Sequence, residues 1–181
     1  MKCFAMLLAL ALPFTAAATD YAVQAASSTL GFSNTFQGES FNGTFGQWHA
    51  AISYDKVNLA GSKFEVEVNL ASVKTGDSDR DGALPGSAFF DVAKFPKAHF
   101  VTTSFHQNGD KVIADGKLTL HGVTRPVSLQ VTFKPQAGGA TLDVSGAVKR
   151  LDFGIGTGDY ADTSVIGGDV KISAHLQLTA K

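Results

Sequence analysis

Hydrophobic residues recur at every second position along most of the chain from residue 21 onward, the period of strands with one buried face. Phe64, Val66, Val68 and Leu70 alternate with Glu65, Glu67 and Asn69, and Val127, Leu129, Val131 and Phe133 alternate with Ser128, Gln130, Thr132 and Lys134. The same pattern predicts strands over 21–36, 41–54, 98–106, 111–120, 140–150 and 168–179. Turn-forming runs separate them, among them Asn108-Gly109-Asp110, His121-Gly122 and Gly138-Gly139, where glycine supplies backbone conformations that other residues resist. The count is about eight strands, which suits an antiparallel barrel. A two-sheet sandwich needs the same one-sided alternation and stays open at this point.

One stretch breaks the period. Residues 77–97 carry acidic residues at the start and no alternation, which predicts a short helix or two inside a long connection. Leu84, Phe89, Phe90, Val92 and Phe95 are too many apolar residues to leave in water, so this insert should fold over one end of the sheet as a lid.

Composition narrows the function classes. The chain has 181 residues and a formal net charge of -1, enough for one buried core and without the basic field a nucleic-acid partner would need. Met1-Lys2-Cys3, an apolar run from Phe4 to Phe14 and then Ala16-Ala17-Ala18 read as a signal peptide over residues 1–18, leaving a domain over 19–181. The apolar run falls short of the ~20 residues that span a bilayer, so a membrane-spanning protein is not expected. Cys3 is the only cysteine and would leave with the leader, so the domain has neither thiol chemistry nor disulfides to draw on.

Local chemical motifs are weak. Asp77-x-Asp79-x-Asp81-Gly82 opens like a calcium loop, but the twelfth position is Ala88 where a bidentate Glu is needed, and the acidic start of a helix explains the run better. His49, His99, His106, His121 and His175 lack the spacing that puts two imidazoles on one metal; His99 and His106, an odd number apart, fall on opposite faces of a regular strand. Ser87 lacks the surroundings of a nucleophile elbow. Gly154-Ile155-Gly156-Thr157-Gly158 reads as a flexible connection between strands and lacks the dinucleotide fingerprint. Asp159, Asp162 and His99 would be the groups to inspect for catalysis inside a cavity. The reading is a binding protein, not an enzyme, with no metal and no cofactor.

Phenylalanine stands out. Twelve of the 14 lie beyond the leader, with Phe32, Phe36, Phe41 and Phe45 in the first hairpin and Phe89, Phe90 and Phe95 in the insert. A filled core or a lined cavity would both use them.

Three stretches then carry a resemblance: Ser87 to Phe100 with its Phe-Phe-Asp and Phe-Pro-x-Ala-x-Phe elements, Gly116 to Val127 with Leu-Thr-Leu-x-Gly-Val-Thr-x-Pro-Val, and Lys149 to Gly158. Together with Arg80-Asp81 and Gly43-Thr44-Phe45 they resemble the YceI-like family of polyisoprenoid-binding, lipocalin-like periplasmic proteins. The resemblance implies an all-β fold, an antiparallel lipocalin-like barrel of about eight strands with a short helical insert near one end. It implies a periplasmic protein whose apolar barrel sequesters or carries a long-chain isoprenoid, of the quinone or polyprenyl phosphate type, or a similar amphiphile; a monomer or homodimer is expected. Phe36 stands near the place where many members carry a His. That variant, with the Arg150-Leu-Asp-Phe-Gly run, is similar to the subgroup found beside membrane cytochromes of the b561 kind, so a filled-barrel accessory of a membrane redox protein is the alternative. Cavity walls are expected from Phe32, Phe36, Phe45, Phe89, Phe90 and Phe153, and head-group contacts from Arg80 and Tyr160. An ion pair of Arg80 with Asp79, Asp81 or Asp91 is the competing role for that cation.

Overall fold

The computed structural model describes residues 18–181; the leader over residues 1–18 and Cys3 fall, except for Ala18, outside the described residues. The elements are β1 Thr19–Val23, β2 Thr29–Phe36, β3 Glu39–Phe45, β4 Trp48–Tyr54, β5 Lys63–Asn69, β6 Val73–Lys74, α1 Ser78–Ala83, β7 Lys97–Asn108, β8 Lys111–Leu120, β9 Val123–Gln136, β10 Gly139–Lys149 and β11 Asp169–Ala180.

These eleven segments are eight strands in space. β1 and β2 form one strand interrupted by a tight turn at Ala25–Ser27, and β5 and β6 form another, interrupted at Leu70–Ser72. β3 and β4 form a third, bent at Gly46 and Gln47. The registers make this plain: Gly31 of β2 faces Thr44 of β3, and Tyr21 of β1 faces Ile52 of β4. β11 then spans both pieces of the first strand, with Ala180 opposite Tyr21 and Lys171 opposite Ser33. Every pairing is antiparallel, each strand lies beside the next in sequence, and the return of β11 to β1 closes an up-and-down barrel. The sandwich is thereby replaced by full closure, which leaves no row of unpaired backbone groups around the β1 end.

Chain direction sorts the loops. The turns at 54–63, 108–111 and 136–139 lie at one end, while the β2–β3 turn, the insert and the long 150–168 connection lie at the other. β9 and β10 pair only from Gln136–Gly139 to Gln130–Ser145. Beyond that point the turn Arg150–Phe153 enters the wedge, and His121 Nδ1 meets the Phe153 carbonyl at 3.0 Å.

The alternation read from sequence decides inside from outside. Phe64 and Val68 point in, and Lys63, Glu65 and Glu67 point out, where Lys63 and Lys97 pair with the two glutamates. A polar outside and an apolar inside is the reverse of a lipid-embedded barrel. No helix among the described residues is long and apolar enough to cross a membrane.

Two expectations need correction. His99 and His106 both face outward, to Glu65 and Asp115, because a bulge between Thr102 and Ser104 shifts the phase of β7. Leu70 is buried as expected but sits in the turn after β5, not in the strand. The insert contains one six-residue helix, α1; the rest is a chain of turns tied by Phe90 N–H to Leu84 O, Val92 N–H to Pro85 O and Phe95 N–H to Asp91 O.

The interior divides into two halves. Toward the turns at 108–111 and 136–139 it is solid: the rings of Tyr54 and Phe133 lie 4.6 Å apart, Phe64 and Phe105 4.9 Å, and Tyr21 and Phe133 5.5 Å. Burial, aided by neighbouring Asp55, pushes the Tyr54 phenol upward, so this ring stays neutral. Leu70, Val73, Leu84, Phe90 and Phe153 form a second buried cluster beneath the insert.

Candidate functional site

Between the two clusters the barrel is hollow. A cavity of about 580 Å³ runs from the floor made by Ile52, Phe64 and Leu142 up to the insert and the β2–β3 hairpin, a size common for ligand sites. Strands set its walls through their inward positions: Val148 and Val144 on β10, Ile172 and Ala174 on β11, Val127 and Leu129 on β9. Leu84, Phe89 and Phe90 of the insert close this half from above.

All eight residues singled out in the sequence border this one cavity. Phe32 and Phe45 form its hairpin wall, 5.7 Å apart, and Phe45 meets Phe90 of the insert at 6.2 Å. Gly43 makes this possible, since a Cβ there would lie 2.4 Å from the Phe32 ring. Phe153, at 1% exposure, closes the wedge between β9 and β10. Phe89 lies 5.1 Å from Tyr160. Tyr160 and Phe36, 46% and 41% exposed, stand on the rim.

Arg80 bridges the insert and the hairpin. Its guanidinium carbon lies 4.0 Å from the centre of the Phe41 ring, and Nη2 lies 3.9 Å from the Asp77 carboxylate. The ion-pair partner is therefore Asp77 and not Asp79, Asp81 or Asp91. Asp81 instead accepts hydrogen bonds from the Thr75 N–H and hydroxyl, which hold its carboxyl below the ordinary range, and Asp91 pairs with Lys94. Asp77 also caps α1 by accepting from the Arg80 N–H at 2.9 Å. Asp77 and Asp81 of the calcium-like run thus serve local structure.

Arg150, in the sequence one residue of the Lys149–Gly158 motif, is the centre of the rim. It is 3% exposed. Nε donates to Gly167 O at 3.1 Å, Nη1 to Ile155 O at 3.0 Å and Gly156 O at 2.5 Å, and Nη2 to Tyr160 O at 2.7 Å and Ile166 O at 3.0 Å. All five donors are used. Burial lowers its pKa, from a value so high that the side chain remains a cation. The glycine-rich connection is accordingly pinned, not flexible. A Cβ at Gly156 would lie 2.6 Å from Arg150 Nη1. The signal was present in the alternation: Leu142, Val144 and Val148 face inward, and Arg150 continues their parity one step past β10. Phe41, in the sequence one of the four phenylalanines of the first hairpin, supports Arg80.

The groups marked for a catalytic test are not gathered together, although the cavity lining includes His99. His99 faces outward to Glu65, Asp159 is exposed, and Asp162 is held below the ordinary carboxylate range by the Ser164 hydroxyl and N–H in an exposed turn.

Fold and site together define a closed eight-stranded barrel, filled at one end and hollow at the other, with a capped apolar cavity. The YceI-like domain family matches residues 21–178, and the chain belongs to it. A UPF0312 protein of Pseudomonas syringae pv. tomato is 35% identical over 159 residues, which are 82% of this chain and 83% of that protein. The solved structure of BcnA from Burkholderia cenocepacia superposes with a TM-score of 0.82 at 28% identity, over 86% of this chain and 98% of BcnA. A polyisoprenoid binding domain from Saccharophagus degradans, implicated in plant cell wall breakdown, shares the fold with a TM-score of 0.67 at 17% identity, over 91% and 99% of the two chains.

Proposed function

We propose that this protein is a non-catalytic carrier that holds one long isoprenoid chain in the hollow half of its barrel. The observation that carries the reading is the cavity itself: predominantly apolar in lining, floored by Ile52, Phe64 and Leu142, with Asp77, Asp79 and Arg80 of the insert at its mouth. Burial of about ten methylene equivalents would contribute ~8 kcal/mol, enough for micromolar binding before ordering costs. The polyisoprenoid-binding domain that shares the fold agrees with such a ligand. Location in the periplasm, after loss of residues 1–18, follows from the sequence pattern and belongs to the same proposal.

The rim favours a flat, uncharged head of the quinone type over a phosphate. The Arg80 cation is already offset by Asp77, with Asp79 beside it, and Arg150 has no free donor. Phe36, Phe89 and Tyr160 instead place aromatic rings beside a planar head. The test is native mass spectrometry of protein released from its cells without detergent, followed by extraction and identification of the bound molecule. A stoichiometric prenylated quinone is expected. A clean unliganded mass, with no uptake of quinones or polyprenyl phosphates on titration, would overturn the reading. The combined change Phe89→Ala and Phe90→Ala should loosen retention at least about tenfold in a folded variant, since both rings cover the chain.

A further inference from the structure

We propose, resting on the binding reading above, that the filled half of the barrel is a ruler: the floor at Phe64 fixes the length of prenyl chain the protein accepts. The same inward-facing strands run through both halves, so nothing in the topology forces the cavity to stop where it does. What stops it is side-chain choice. Ala50, Ile52, Phe64, Leu142 and Leu176 border the cavity and at the same time belong to the solid cluster, whereas Tyr54, Phe105 and Phe133 belong to that cluster and do not reach the cavity. Phe64 is the ring at the boundary. Its centroid lies 4.9 Å from Phe105 in an edge-on contact and 6.0 Å from Tyr54, so it is braced from behind and cannot swing away from an advancing chain end.

The upper limit of the site is equally fixed. Arg80 on the Phe41 ring ties α1 to the hairpin, and the Arg150 clamp holds Tyr160 and Ile166 at the rim. A head group seated there and a tail that ends at Phe64 leave a set depth for the chain between them. Each added isoprene unit buries further apolar surface until the tail meets the floor; the next unit must buckle or push the head out into water. Affinity should therefore climb on the order of tenfold or more per unit and then break, instead of rising steadily as it would on an open groove.

Two substitutions move the floor in opposite directions. Phe64→Ala removes the boundary ring and deepens the cavity. Ala174→Phe, on β11 one inward position above Leu176, places a ring in the cavity and makes it shallower. The experiment is displacement of the fluorescent probe N-phenyl-1-naphthylamine by a ladder of all-trans prenyl alcohols, from geraniol through farnesol and geranylgeraniol to solanesol. It is run on the wild type and on both variants, with circular dichroism confirming the fold of each.

The expected result is a break at one chain length in the wild type, at a longer length in Phe64→Ala and at a shorter one in Ala174→Phe. If Phe64→Ala does not fold, the downward shift in Ala174→Phe carries the same decision. Prenyl alcohols that bind with the break unmoved in the folded variants, or with no break at all, overturn the ruler and leave the carrier reading intact. Failure of every prenyl alcohol to displace the probe from the wild type would overturn both.

Discussion

At the scale of single residues, Arg150 is a buried charge held by backbone carbonyls, with no carboxylate paired to it among the described residues. Five carbonyls surround the guanidinium, and removing it would leave all five without this donor, those of Ile155 and Gly156 in a buried position. Arg150→Met should therefore lower stability by about 3 kcal/mol or more, and Arg150→Lys should recover only part, because an ammonium has three donors. Urea unfolding midpoints of the three proteins check this; equal midpoints for wild type and Arg150→Met would mean the loop is held by something else. Asp115 offers a second test at this scale. A hydrogen bond from the Ser128 hydroxyl at 2.6 Å, with His106 and Ser104 nearby, holds its carboxyl below the ordinary range. A lowered folded pKa means stability that is present above the unfolded value near 4 and lost as pH falls through the folded one. Between pH 6 and pH 3 the urea midpoint of Asp115→Asn should fall less steeply than that of the wild type. The difference should be small, since the carboxylate is solvent-screened.

At the scale of elements, the strands were legible because their inward positions are apolar and their outward ones polar over long runs, as in Phe64 to Leu70 and Val127 to Phe133. What the alternation could not reveal is where a strand breaks without changing sheet. Ala25–Ser27 and Leu70–Ser72 are tight turns within otherwise continuous strands, and the Thr102–Ser104 bulge inverts the phase that separated His99 from His106. Each is a backbone event with no residue-type signature strong enough to read alone. Within the site, the phenylalanines of the hairpin and insert were visible as clusters, and the inward parity of Arg150 was present in the alternation, but its role was not, because that depends on carbonyls contributed by residues 155–167. The insert gives the element-scale prediction. α1 has six residues and relies on the Asp77 cap, and a helix so short has little cooperativity of its own. Asp77→Ala should cost about 1 kcal/mol and also free Arg80 from its ion pair. Faster hydrogen exchange at the Arg80 and Asp81 amides, with the barrel strands unchanged, is the expected readout; unchanged exchange there would show that Phe41 and Thr75 suffice to hold the helix.

At the scale of the whole molecule, one closed sheet joins a solid half to a hollow half, and the two should differ in local stability. Around the Tyr54–Phe105–Phe133 cluster a strand opens only by tearing apart packed rings, so its amides should exchange through global unfolding. At the other end an opening loses wall contacts on one side of an empty space, which is cheaper. In the unliganded protein the amides of Phe89 to Phe95 and of Ile155 should therefore exchange well before those of Ile52, Ala114, Val131 and Leu142. A bound chain changes the order of costs. At about one hundred times its dissociation constant a ligand adds ~2.7 kcal/mol to every opening that must release it. That includes movement of the insert and global unfolding, but not fraying of the turns at Gly109 and Gly138, which lie at the filled end away from the cavity. Saturation with a prenyl ligand should thus slow the insert amides by up to about one hundredfold and leave those two turns unchanged. Equal slowing at Gly109 and at Phe90 would mean that the ligand acts on the barrel as a rigid whole. No slowing at Phe90 would mean that the insert opens without releasing the chain, and that ligand leaves by another route than the capped end.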